Sequence, residues 1–84
     1  MHQILSIEQF QEIKNKGIGF IAITDRYLRK NCVHHPNCSS IQDSNFVQKA
    51  ITSNCKNGKY IYVDHQLQGL DISSKMKLCG TCFS

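Results

Sequence analysis

Two stretches, Val33-His34-His35-Pro36-Asn37-Cys38 and Cys79-Gly80-Thr81-Cys82, decide how the rest of this sequence is read, because together they offer an imidazole and three thiols. Two intervening residues is the separation at which a tight turn aims both sulfurs at one ion, and zinc takes four nitrogen or sulfur ligands in a tetrahedron. His34 and Cys38 have three residues between them. Pro36 stiffens that turn by fixing its own φ and restricting His35 before it. The spacing predicts one structural Zn2+ held by His34, Cys38, Cys79 and Cys82. His35, Cys32 and Cys55 stand near enough in sequence or number to compete as ligands, Cys32 being the main substitute for His34, which would make an all-cysteine site.

Working outward, 84 residues make one domain, 1–84, too short for an apolar core to hold without a staple. The five cysteines cannot all pair into disulfides, which favours metal plus spare thiols over a disulfide-stapled secreted domain. Met1-His2-Gln3-Ile4-Leu5 runs at once into Ser6, Glu8 and Gln9, so the opening is no basic-then-apolar signal peptide. No apolar run reaches the ~18 residues of a membrane span. These features predict a cytoplasmic protein with reduced thiols and no membrane partner. A redox role for Cys79 and Cys82 is disfavoured, since redox Cys-x-x-Cys pairs usually open a helix after a strand.

Ser6-Ile7-Glu8-Gln9 reads as a capping box, followed by a helix whose Ile7, Phe10 and Ile13 share a face and which Gly17 stops. Residues 18–24, apolar at nearly every position and rich in β-branched side chains, predict a strand covered on both faces. After Cys38, Ile41 is expected beneath the ligands. Asp43 or Ser44 should cap a second helix that turns Phe46, Val47, Ala50 and Ile51 inward. Asn57-Gly58 signals a turn before a strand at 60–63, with Ile61 and Val63 facing the core and Tyr60 and Tyr62 facing out. Residues 64–77 suggest a turn and a short helix. The sum is an α+β fold: a small zinc-stapled domain with two short helices packed on a small β-sheet.

Net charge is +4, and mild basicity fits nucleic-acid binding without requiring it. Arg26, Arg29 and Lys30 lead into the first ligand stretch, while Lys56, Lys59, Lys75 and Lys77 supply further cations for phosphates. Tyr60 and Tyr62 beside Lys56 and Lys59 are candidates for base stacking. Four ligands including three thiolates would close the zinc shell, so the metal is expected to fold the chain rather than catalyse. A protein-protein interaction module, whose basic residues only keep it soluble, is the competing reading.

The 33–38 stretch, Phe46 and the Cys79-Gly80-Thr81-Cys82 knuckle resemble the zinc module at the N-terminus of Ada-type DNA-repair proteins. That family has a Cys-x-Pro-x-Cys turn, an inward phenylalanine and a terminal Cys-x-x-Cys. His34 replaces the family's first cysteine, the thiolate that accepts a methyl group from a DNA phosphotriester, while Pro36 and Cys38 match its proline and second cysteine. The gap between Cys38 and Cys79 is also longer than the family's usual one. What the resemblance implies is a nucleic-acid-binding zinc scaffold, not an enzyme. Val63-Asp64-His65 ahead of the cysteine knuckle is similar to HNH nucleases, but the helix that would follow the last cysteine with further metal ligands is not in this sequence. His65 is accordingly read as a surface or turn histidine.

Overall fold

Helix α1 (Ile7–Lys16) forms as its sequence predicts. The Ser6 hydroxyl accepts the Gln9 N–H at 3.2 Å, and the Gln9 side-chain oxygen accepts the Ser6 and Leu5 N–H groups in return. Gly17, at φ 64°, ends the helix by donating its N–H to the Ile13 carbonyl, a backbone region that favours glycine. The computed structural model describes residues 2–25, 31–39, 41–52, 58–73, 75–80 and 83, the side chains at 25, 49 and 50 excepted.

Among the described residues, five strands, β1 (His2–Gln3), β2 (Phe20–Asp25), β3 (Cys32–His34), β4 (Gly58–Val63) and β5 (Lys77–Leu78), form one sheet in the order β1-β4-β2-β3-β5. All pairings are antiparallel except that of β3 with β5. Central β2 pairs with β4 from Phe20↔Val63 to Asp25↔Gly58, and with β3 from Ile21↔His34 to Ile23↔Cys32. The remaining elements are α2 (Asp43–Phe46), which continues as a π-helical segment (Val47–Thr52), and α3 (Gln66–Leu70). The fold class is α+β as expected, and α3 falls within the 64–77 stretch, where the sequence suggests a turn and a short helix.

Because side chains alternate along a strand, each face of the sheet collects its own residues. One face carries Ile21, Ile23, Cys32, Tyr60 and Tyr62 and packs with Ile4, Phe10, Ile41 and Phe46. The other carries Phe20, Ala22, Val33 and Ile61, covered by Leu70, Ile72 and Met76. Phe10 and Phe46 stack at 4.6 Å, and the edge of Tyr60 meets both rings. Burying each phenylalanine contributes about 2 to 3 kcal/mol, and the ring geometry adds to that.

This arrangement corrects the expected split of β4. Tyr60 is only 3% exposed and lies in the aromatic core, Tyr62 is half-buried, and Ile61 packs on the opposite face. Period-2 alternation separates core from solvent only when one face is wet, and here both are covered. A second correction concerns the π-helical segment. Phe46 points inward, but Val47 and Ile51 are 38% and 46% exposed; the side chain of Ala50 lies outside the described residues. The cap of α2 also differs: Gln42 occupies that position without a side-chain bond, and Asp43 stands in the first turn. There it meets Lys14 at 3.5 Å and accepts a hydrogen bond from Gln11, pinning α2 to α1.

Candidate metal centre

His34 ends β3 with its side chain on the α1/α2 side of the sheet, the face that also holds Cys38, Cys79 and Ile41. The chain then turns back sharply. Pro36 is fully buried, the Cys38 N–H donates to the His35 carbonyl at 3.1 Å, and the Ile41 N–H donates to the Cys38 carbonyl at 3.0 Å. Lys14 of α1 donates to the Ile41 carbonyl at 3.2 Å, so the helix grips the segment that follows Cys38. Cys79 arrives from β5, its N–H donating to the Val33 carbonyl at 2.9 Å.

The outcome is a buried group in which ligand atoms of His34, Cys38 and Cys79 all lie within 4.8 Å of one another. The sulfurs are 4.0 Å apart. His34, Cys38 and Cys79 are 7%, 5% and 7% exposed. Burial holds the His34 pKa below its ordinary value, which keeps the imidazole neutral with a lone pair to share. Its Nδ1 is buried without a hydrogen-bond partner among the described residues. Native structures seldom leave such an atom orphaned, and a buried imidazole grouped with two sulfurs is the donor set a thiophilic divalent ion takes. The three residues fit a metal ion.

Three of the four ligands expected from spacing therefore come together; Cys82 lies outside the described residues. Of the three competitors, Cys32 and His35 do not join them, and Cys55 lies outside the described residues. Cys32 shares the sheet face of His34 but lies outside the ligand group, and the His35 ring stacks on Phe83 at 4.3 Å and approaches Phe20 at 5.2 Å. That aromatic trio has no signature in the sequence, because it needs the β2/β3 register to bring Phe20 beside His35. Nor does the sequence flag Lys14 as the side chain that steadies the turn after Cys38.

Of the residues expected to bind nucleic acid, Lys59, Lys75 and Lys77 are exposed. Arg26, Arg29, Lys30 and Lys56 lie outside the described residues. Tyr60, buried between phenylalanines, presents no ring face to a base, and Tyr62 is half-buried over Gly19. His65 is exposed ahead of α3 and takes no part in the ligand group. Among the described residues no helix is long and apolar enough to cross a membrane. No protein-family model matches the chain, and neither curated proteins nor solved structures provide a match.

Proposed function

We propose that this chain is a non-catalytic zinc module that binds DNA or RNA, with His34, Cys38, Cys79 and Cys82 holding one structural Zn2+. The convergence of His34 with two sulfurs, together with a His34 Nδ1 buried without a hydrogen-bond partner among the described residues, supports the metal. Zinc is the ion whose structural sites use histidine with cysteines. Cys82 is joined to Phe83, whose N–H donates to the Cys79 carbonyl at 3.0 Å, and this supports it as the fourth ligand. The resemblance to the Ada module supports a zinc held between the two turns, and histidine at position 34 in place of the family's first cysteine removes the thiolate that methyl transfer needs.

Topology supports the choice of nucleic acid as partner. The end of the sheet away from His34 carries Lys59, opposite Thr24, and Lys77, whose N–H donates to the Asn31 carbonyl at 2.9 Å. The segment bearing Arg26, Arg29 and Lys30 connects Asp25 to Asn31, and Lys56 lies two positions before Gly58, the partner of Asp25. Cations joined to one end of a sheet suit a phosphate backbone. The exposed pair Val47 and Ile51, four residues apart, favours a second reading in which the partner is a protein.

Native mass spectrometry with a metal assay tests the first half: one zinc per chain is expected, and a chain purified and refolded with zinc that holds none overturns it. Fluorescence titration with single- and double-stranded oligonucleotides tests the second. Binding at micromolar protein that weakens steeply with salt is expected; no binding at low salt leaves the protein-partner reading.

A further inference from the structure

A metal that joins residues 34–38 to residue 79 must hold two distant parts of the chain together, and the cost of bringing them together falls on the ion unless something else has done it. Here the chain is held at Cys79 and again at Phe83. Before Cys79, β5 is laced to β3 through Lys77 N–H to the Asn31 carbonyl and Cys79 N–H to the Val33 carbonyl, both at 2.9 Å. After it, the Phe83 ring lies on the His35 ring at 4.3 Å with 23° between planes, and it also stacks on Phe20 at 5.9 Å. His35 and Phe20 are themselves 5.2 Å apart, so the three rings close into one cluster. None of them belongs to the ligand group.

From this geometry we infer that His35 and Phe83 are positioning residues for the metal: their stack clasps Phe83, four positions after Cys79, against the turn that carries His34 and Cys38, so that the ion meets ligands already assembled. This rests on the metal reading above and deepens it. Next to a ligating histidine, a second histidine invites assignment as a ligand; the clasp instead uses His35 as a flat ring whose nitrogens need not touch the ion. An aromatic of similar size should therefore replace it.

The test compares the full-length wild type with Phe83→Ala, His35→Ala and His35→Phe, following zinc transfer to a chromophoric chelator and the visible spectrum of the Co2+ form. Phe83→Ala and His35→Ala are expected to release zinc about tenfold faster, the effect of removing a group that steadies the ligands of a metal site. His35→Phe restores the wild-type rate to within roughly threefold, the low end of what one aromatic pair is worth. All four should show the same Co2+ thiolate bands, because the ligands are unchanged. Equal release rates in wild type and Phe83→Ala overturn the clasp alone, and so does a His35→Phe protein as impaired as His35→Ala. A wild type that takes up neither ion overturns the metal reading and the clasp together. Thermal melts of the metal-free variants show whether each retains the fold, and amide-to-ring NOEs between Phe83 and His35 in the metal-free wild type are expected; their absence in a folded protein overturns the clasp.

Discussion

The sulfurs of Cys38 and Cys79 stand 4.0 Å apart although the two residues lie 41 positions apart in the chain. Both belong to the buried cluster that also holds Ile41, Phe10 and Phe46, so the ligand group is continuous with the main aromatic core rather than appended to it. Metal loss should consequently loosen the core as well as the turn. Structural zinc contributes on the order of 10 kcal/mol in zinc-finger peptides, and 1 kcal/mol moves the Tm of a domain this size by about 4 to 8 °C. Stripping zinc with a chelator is expected to lower Tm by more than about 10 °C, measured by circular dichroism. Cys38→Ser should bring the melt of untreated protein down to the chelated wild-type value. A chelated protein that melts at the same temperature as the loaded one would show that the fold stands without metal.

His34 supplies the pH dependence of the metal-free form. Its pKa is lowered by burial from the ordinary value of 6.5, so the unfolded chain binds a proton that the folded chain resists. The stability at stake is fully present above the unfolded value of 6.5 and is lost as pH falls below it toward the lowered folded value. Urea titrations of the metal-free protein from mildly alkaline to mildly acidic pH should show falling stability on the acid side. His34→Asn, which has no group titrating there, should flatten that part of the curve relative to wild type. Parallel curves for the two proteins would place the acid sensitivity elsewhere.

Much of this architecture is legible in the sequence, and the parts that are not share a cause. The capping box at Ser6 and Gln9, the stop at Gly17 and the grouping of His34, Cys38 and Cys79 are local or spacing signals, and each is found where it was expected. Placing Tyr60 in the core required knowing that other elements cover both faces of the sheet, which no single strand reveals. Strands β1 and β5, of two residues each, are too short to show a period at all. The His35–Phe83 stack depends on two chain segments meeting through register, and neither segment announces it.

Gly69 illustrates a packing constraint of the same kind. A Cβ built there would stand 2.7 Å from Val33 Cγ2, inside a core where Val33 is fully buried. Alanine would raise helix propensity in α3 by about 1 kcal/mol, but overpacking a well-filled core costs about 1 to 3 kcal/mol. Gly69→Ala is therefore expected to destabilise the protein by up to about 2 kcal/mol in chemical denaturation. Shaving the opposing side chain tests the cause: Gly69→Ala combined with Val33→Ala should show a favourable coupling, the double variant losing less than the sum of the singles. Because the Val33 carbonyl receives the Cys79 N–H, the single Gly69→Ala variant should also release zinc faster than wild type.

Lys59 and Lys77 provide the sharpest separation between the two candidate partners. Both are exposed at the end of the sheet opposite His34, so reversing their charge should leave fold and metal untouched. Taking one phosphate away from the protein's cations makes the fall of log affinity with log salt shallower by about 0.7 on a single strand or 0.9 on a duplex. Lys59→Glu and Lys77→Glu are thus expected to weaken oligonucleotide binding at low salt and to flatten its salt dependence, with similar losses across unrelated sequences because phosphates carry no sequence information. The protein-partner reading makes the opposite forecast, since Val47 and Ile51 lie on a different element. Val47→Ser with Ile51→Ser would then abolish partner capture while the charge reversals left it intact.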